Sequence, residues 1–447
     1  MAVLPDTRPR ARSLPGAALH RFLRHRRFVR RCLNLALGAA AFFWRRLMFR
    51  TTFIAVTGSV GKTTTVGCLM QALSTRFAVN GAQHGKNLIR DVDFLLLRTR
   101  WRHRFAVVEL GTMKPGDLKH TGWVVAPDTA IVLTVAAVHT NRFASLDEIA
   151  FEKSHLVSSV GRRGLAVLNG DNARVAAMAA RCRGRVATFG RSPRSDVWAS
   201  EVSSVWPARL SFRVHRGAES HMVQTQLVGE HWLNSVLAAL ATAVCHGVDL
   251  EAAAAAVARV EPAPCRMQPV LLPSGAHALR DDFNCSFASL PAALRVLEQA
   301  QASRRVLVFR DAYDSGLPNM ERLRMVGRMV AHSADLTLLY GNIRNRTRNA
   351  MVQAGVPRES IHLFRDIWEV ADYLKANLQA GDVVLIRNAY SDAAERIYFA
   401  QLGSVGCRMP VCDRSTACDF CAELRPGLEN ATGLPAPSRP YWLPIHR

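Results

Sequence analysis

Thr57-Gly58-Ser59-Val60-Gly61-Lys62-Thr63-Thr64-Thr65 follows directly on the apolar run Phe53-Ile54-Ala55-Val56. A strand that ends in a glycine-punctuated turn and feeds a helix aims several backbone N–H groups and the positive end of the helix at one point, which suits phosphate. Gly58, Ser59, Val60, Gly61, Lys62, Thr63 and Thr64 are therefore the candidate loop contacts. Lys62 adds a point charge and Thr63 a hydroxyl for Mg²⁺. Two residues separate Gly58 from Gly61, where the general phosphate loop has four, so this is a shortened variant.

Cation usage supports the same reading. The chain has 58 Lys plus Arg, and its only lysines are Lys62, Lys86, Lys114, Lys119, Lys153 and Lys375. In so arginine-rich a sequence, a retained lysine can mark a place where a planar, permanently charged guanidinium cannot replace an amine. Lys114, Lys119 and Lys375 read as ordinary surface residues.

At 447 residues and 49% apolar content, the chain suggests two or three domains with ample core. Its formal charge of +23 is concentrated at the start, where residues 7–50 hold many arginines and no acid. Between those arginines, Cys32 to Trp44 is apolar but shorter than the ~20 residues that span a bilayer. Residues 20–50 read as an interfacial basic helix suited to an anionic membrane surface, with docking on the protein body as the alternative. A signal peptide fits less well, because no small-residue cleavage signal follows the deep apolar run. Nucleic acid fits poorly, since no zinc-finger spacing or aromatic-interleaved basic stripe appears.

Six of the ten cysteines are scattered, as in a reduced cytoplasmic protein. Cys407, Cys412, Cys418 and Cys421 cluster, and the Cys418-x-x-Cys421 spacing lets two thiolates reach one metal, so a structural Zn²⁺ is one reading. An iron–sulfur cluster and no metal are the others.

From Phe53, buried strands alternate with helices: 53–57 then 62–74, 105–109 then 114–125, 129–134 then 146–159, and 165–169. This rhythm predicts a parallel, helix-covered sheet. Residues 185–228 look like an antiparallel extension, and helices at 232–246 and 249–259 lead to a linker at Glu261-Pro262-Ala263-Pro264. Strands near 276–281, 305–309, 335–340 and 382–387 then alternate with helices near 289–300, 318–333, 344–354 and 367–378. The expected fold is α/β: a P-loop parallel-sheet central domain followed by a second doubly wound domain, with a basic N-terminal helix. The expected boundaries are a basic segment at 1–50, an ATP-binding domain at 51–264, a C-terminal α/β domain at 265–404 and a Cys/Pro-rich tail at 405–447.

Further motifs occur in a fixed order. Val107-Val108-Glu109-Leu110-Gly111 places a carboxylate at a strand end, and His139 precedes Phe143 and Ser145-Leu146, with Lys153 downstream. Asn169-Gly170-Asp171-Asn172, Gly229-Glu230-His231-Trp232-Leu233-Asn234, Arg266, Asp281-Asp282-Phe283-Asn284 and Arg310-Asp311 follow. Together with the loop, these resemble the Mur ligase family of ATP-dependent amide-forming enzymes, most closely the branch that adds D-alanyl-D-alanine to a UDP-N-acetylmuramoyl tripeptide. The resemblance implies a ligase in which a substrate carboxylate takes the γ-phosphate of ATP and an amine captures the acyl phosphate. It implies Mg²⁺ held by Thr63 and Glu109, and a second Mg²⁺ near His139 and a carbamylated Lys153. It also implies nucleotide contacts at Asn234, Asp281 and Asn284, and an Arg266 that reaches the phosphates when the domains close.

Departures from the family pattern bear on the substrates. Trp232 stands where the motif has asparagine and Cys265 where a glycine is usual, while Arg387-Asn388-Ala389-Tyr390 replaces KGSR. The basic N-terminal segment takes the place of the domain that grips the UDP-sugar. A peptidoglycan-precursor or polyamino-acid substrate, handled in the cytoplasm or at the inner face of the membrane, is the expectation. A nucleotide-binding scaffold that has lost ligation is the alternative. A P-loop kinase or GTPase is weaker, as no NKxD-type guanine signal follows.

Overall fold

The structure, a computed structural model, describes residues 16–81, 87–138, 140, 142–313, 315–389, 392–409, 418–421, 423 and 424, with side chains from residue 32 onward. After helix α1 (Gly16–Leu47), the first domain runs β1 (Thr52–Thr57), α2 (Lys62–Ser74), β2 (Val79–Gly81), α3 (Ile89–Arg98), β3 (Phe105–Glu109), α4 (Asp117–Val125), β4 (Thr129–Val132), α5 (Leu146–Ser158) and β5 (Leu165–Asn169). It continues through α6 (Ala173–Ala176), β6 (Arg185–Gly190), β7 (Val197–Ser203), β8 (Ser211–Arg216) and β9 (Glu219–Gln224), then α7 (Leu233–Cys245) and α8 (Leu250–Val257).

Nine strands form one sheet in the order β2-β3-β1-β4-β5-β6-β7-β8-β9. β1, β3, β4 and β5 are short apolar runs buried along nearly their whole length, as strands covered by helices on both faces must be. The sheet is parallel as far as β7, and only β7–β8 and β8–β9 are antiparallel. The antiparallel extension expected from residue 185 thus begins only where β8 joins β7, because β6 pairs parallel with β5 and β7 parallel with β6. In β7 and β8, inward and outward residues alternate, consistent with a sheet that has one wet face. α7 is buried almost throughout and packs against α2, so the loop-bearing helix is held from behind by a continuous apolar core.

The second domain runs β10 (Gln268–Leu271), β11 (His277–Asp281), α9 (Leu290–Glu298), β12 (Arg304–Phe309), α10 (Asn319–Val330), β13 (Leu336–Tyr340) and α11 (Arg344–Gln353). β14 (Ile361–Phe364), α12 (Ile367–Asn377), β15 (Asp382–Arg387) and α13 (Glu395–Leu402) complete it. Its sheet order is β10-β11-β15-β12-β13-β14, parallel except for β10 against β11. This agrees with the expected second doubly wound unit. β10, β14 and α13 are additions that the sequence rhythm did not supply.

The end of α1 docks on the body of the protein. Ala41 and Met48 are fully buried. Trp44 Nε1 donates to Thr99 O (2.9 Å) just beyond α3. Arg45 donates to Val125 O and Ala126 O (both 2.6 Å), and Arg46 to Val124 O and Trp123 O (both 2.7 Å), so two cations sit on the free carbonyls that end α4. Leu33, Leu35, Phe43, Leu47 and Phe49 remain exposed. Among the described residues, no helix is long and apolar enough to cross a membrane.

Candidate active site

Parallel pairing brings the first pieces together. β1 and β3 run in register with Val56 opposite Glu109, so the strand ending in the glycine loop and the strand ending in a carboxylate finish side by side. Gly61 enters α2 with φ of 88°, and a Cβ there would lie 2.6 Å from Ser235 Oγ of α7. At Gly58 a Cβ would lie 2.8 Å from Leu133 Cβ, so both glycines are required by close approach. Ser59 anchors the loop to the chain after β4 through its N–H to Thr134 O (2.9 Å) and its hydroxyl to Ala136 O (3.0 Å).

Lys62 folds back so that Nζ donates to Gly58 O at 2.8 Å. Burial lowers its pKa, as does Arg266, while Glu109 opposes the shift. Glu109 is 2% exposed and uses both oxygens: Thr63 Oγ1 donates to one (2.9 Å) and Asn87 Nδ2 to the other (2.9 Å). Lys153, on α5, is 1% exposed. Its pKa falls to about 7, first through burial and then through the nearby Lys62 charge, with Glu152 opposing. α5 is fixed at its start by the N-cap Ser145, whose Oγ accepts from Glu148 N (3.1 Å), while the Glu148 side chain accepts from Ala144 N (2.6 Å). Glu152 is itself committed to the start of α4, accepting from the N–H groups of Gly116 (2.8 Å) and Leu118 (2.7 Å).

These groups open into one cavity of about 820 Å³ between the two domains, lined by Gly58 to Thr64, Glu109 and Lys153 on one side and by Arg266, Asp281, Asn284 and Arg387 on the other. That volume lies within the ordinary range for a nucleotide-sized ligand with room to spare. Arg266 lays its guanidinium over the Phe283 ring at 4.3 Å. Asn284 Oδ1 accepts from Tyr313 OH (2.5 Å) and from Ser286 N (3.1 Å). A further arm reaches Asn34 of α1, Arg90 of α3, Lys114 and His120. Asp117, the acid in that arm, accepts from the N–H groups of Met113 (2.9 Å) and Lys114 (3.0 Å), and the two cations Arg90 and Lys114 outnumber it.

Several sequence expectations fall elsewhere. His139 lies outside the described residues. Asn234 sits half-buried in the first turn of α7 and does not line the cavity, whereas its neighbours His231 and Trp232 do. Burial and the Arg387 charge push the His231 pKa down to about 3, so the ring is neutral. Asp281 is not a free carboxylate, because the buried Arg387 forms an ion pair with it and also donates to Ser289 Oγ (2.6 Å). Asn87, Arg90, His120 and Tyr313 belong to the cavity but carried no role in the sequence reading, and Lys114, read there as an ordinary surface residue, also lines it.

The zinc expectation is not supported. Among the described residues no group of three or more His, Cys, Asp or Glu could hold a metal, and Cys412 lies outside them. Cys418 is buried and Cys407 and Cys421 pack against the second domain's apolar cluster. Burial raises the Cys418 thiol, whose Sγ accepts from Arg396 Nε at 3.2 Å. The three thiols that can be placed therefore serve as core.

Residues 56–243 match the model of the Mur ligase middle domain, and residues 265–388 that of the Mur ligase glutamate ligase domain. The UDP-N-acetylmuramoyl-tripeptide–D-alanyl-D-alanine ligase of Mycobacterium tuberculosis (strain CDC 1551 / Oshkosh) is 28% identical over 396 residues, covering 84% of this chain and 75% of that protein. The Escherichia coli (strain K12) enzyme of the same name is 30% identical over 291 residues, covering 63% of this chain and 62% of that protein. Among solved structures, MurF from Acinetobacter baumannii superposes with a TM-score of 0.73 at 24% identity, over 82% of this chain and 79% of that one. MurF ligase from Thermotoga maritima in complex with ADP gives 0.70 at 20% identity, over 82% of each chain.

Proposed function

The chain belongs to the Mur ligase family, with its middle and glutamate ligase domains in order, and from this we propose that it joins a carboxylate to an amine at the expense of ATP. The observation that carries the reading is the convergence of Lys62, Thr63, Glu109, Lys153 and Arg266 on one cavity. A carboxylate must approach a triphosphate here, and two anions meet only where cations and N–H donors offset their repulsion.

In this reading, the N–H groups of residues 58–64 hold the phosphates, and Lys62 leaves Gly58 O to follow the γ-phosphoryl group. A carboxylate oxygen bonds to the γ-phosphorus as the bond to ADP breaks. The amine then attacks the acyl carbon, loses a proton and expels phosphate. Thr63 and Glu109 present the hard oxygens that suit Mg²⁺, which when bound offsets charge on the phosphates. The lowered pKa of Lys153 supports carbamylation, since a neutral amine adds CO₂ and releases a proton to leave a carboxylate-like anion. His139 would share the second cation site. Asn284 and Asp281 would lie toward the nucleotide, Asp281 acting through its pairing with Arg387.

The cations Arg90 and Lys114 suit an acidic donor, so in this reading the acid enters between α1, α3 and α4. A peptidoglycan precursor or an acidic polyamino acid fits this charge, and the amine meets it from the second-domain side. We take the ATP-binding domain to be 51–264 and the C-terminal α/β domain 265–404, preceded by a basic segment at 1–50 and followed by a tail at 405–447. The reading is tested by phosphate release from MgATP across a panel of acids and amino acids: release rises only when both partners are present. Release indifferent to both would contradict it.

α1 carries the second part of the proposal. Its arginine-rich sequence and the exposed Leu33, Leu35, Phe43, Leu47 and Phe49 suit peripheral binding to anionic lipid. The protein is then expected to co-sediment with vesicles containing phosphatidylglycerol and to be released by salt. Equal binding to purely zwitterionic vesicles would refute the electrostatic part.

A further inference from the structure

The segment after the second domain returns to it at one point. Gly406 N donates to Leu424 O (3.1 Å) and Cys418 N to Glu395 Oε1 (3.3 Å), while Cys418 and Leu424 are buried in the second domain's apolar cluster. From the short turn at Cys418–Phe420, Asp419 enters the interior at 4% exposure and meets Arg280 of β11, which is 1% exposed. The pairing is a fork: Arg280 Nη1 donates to Asp419 Oδ1 (2.8 Å) and Nη2 to Oδ2 (3.0 Å). The guanidinium plane lies over the Tyr398 ring at 4.3 Å, which fixes its orientation.

The same Nη2 reaches two more groups, Cys265 Sγ (3.0 Å) and Asp282 Oδ2 (3.3 Å). Cys265 Sγ in turn donates to Asp419 Oδ2 at 3.7 Å. Cys265 is the residue before Arg266, and Asp282 is the residue before Phe283, on whose ring Arg266 rests. One buried guanidinium therefore ties together both chain positions from which the Arg266–Phe283 stack springs.

Local backbone conformation makes such a tie necessary. Cys265 and Met267 have φ of 60° and 47°, so Arg266 is flanked by two non-glycine residues in the left-handed region. That conformation costs free energy and persists only when surrounding contacts impose it. Here the contacts are the Cys265 thiol in the Arg280–Asp419 fork and the Cys265 N–H to Gln268 Oε1 (3.4 Å).

We propose that Asp419 is a positioning residue for Arg266: through Arg280, Cys265 and Asp282, the C-terminal segment sets where that guanidinium stands in the ATP cavity. The proposal rests on the ligase reading, in which Arg266 contacts phosphate. Loss of Asp419 leaves Arg280 paired with Asp282, so the domain keeps a partner for its buried cation while the bend before Arg266 loosens.

The test is a double-mutant cycle on MgATP affinity, measured by calorimetry on the full chain, with folding checked by circular dichroism. Arg266→Ala weakens binding on the order of tenfold, the effect of one charge-assisted contact to phosphate. Asp419→Ala weakens it by most of that factor, and the double variant is little weaker than Arg266→Ala alone, because both remove the same contact. Additive losses would overturn the proposal, since a purely structural defect adds to loss of Arg266. So would unchanged affinity in Asp419→Ala or in Arg266→Ala. If Asp419→Ala does not fold, the isosteric Asp419→Asn takes its place in the cycle, and unfolding of both overturns the positioning role. Failure of the unmodified protein to bind MgATP would instead refute the ligase reading itself.

Discussion

Replacing Lys62 with alanine abolishes ATP turnover and leaves the fold standing. Lys62 is half-buried at the loop–helix junction, its ammonium bonded to Gly58 O at 2.8 Å and facing the cavity that Glu109 and Arg266 also line. When a triphosphate enters, that hydrogen bond is exchanged for phosphate oxygens, and the charge acts where little water competes. Loss of one such group costs at least about a thousandfold in rate. The fold is spared because the lysine's hydrogen bond reaches only Gly58, four residues back, and alanine is the best helix former for the first turn of α2. Phosphate release and a thermal melt decide the matter together. Turnover equal to the unmodified protein's would show that the loop is not the phosphate site.

Lys153→Ala separates a working ligase from a scaffold that only binds nucleotide. Lys153 stands on α5, whose preceding strand β4 pairs with β1, deep in the wall at 1% exposure and close enough to Lys62 for the two charges to oppose each other. A side chain buried there with a pKa near 7 is costly to keep unless it takes part in the chemistry. The variant is expected to lose phosphate release, again by about a thousandfold, with MgATP affinity changed less than about threefold. Equal loss of affinity and turnover would make Lys153 a structural or nucleotide-binding group, and unchanged turnover would remove it from the site.

Much of the architecture is legible because its signals are local. β1, β3, β4 and β5 are apolar runs with turn signals at their ends, and the loop's glycines stand where the backbone needs them. Glu109 and the loop could be paired from sequence because parallel strands end on the same edge of the sheet. Other parts depend on contacts that sequence spacing does not carry. Asn87 reaches Glu109 from a stretch with no strong period, and β2 contributes only Val79–Gly81 at the sheet's edge. α1 runs from Gly16 to Leu47, well beyond the apolar stretch, because arginine is itself a good helix former and Trp44, Arg45 and Arg46 gain partners on α3 and α4.

The cysteine spacing near the C-terminus misled for a related reason. Two thiols three positions apart can share a metal or can share a core, and here Cys418 and Cys421 lie on a short turn that presents them to the second domain's interior. The informative residue in that stretch is Asp419, which only the fold brings to Arg280. Asn234 shows the converse. Its motif position suggested a ligand contact, but it does not line the cavity, whereas His231 and Trp232 just before it do.

The most direct test of the acyl-phosphate route follows the oxygen atoms of the carboxylate. With the acid that supports phosphate release, both carboxylate oxygens are labelled with ¹⁸O and the released phosphate is analysed by mass spectrometry after a single turnover with the amine. Each released phosphate is expected to carry one ¹⁸O, since the carboxylate oxygen that attacked phosphorus leaves with it. Unlabelled phosphate accompanying amide formation would contradict that route.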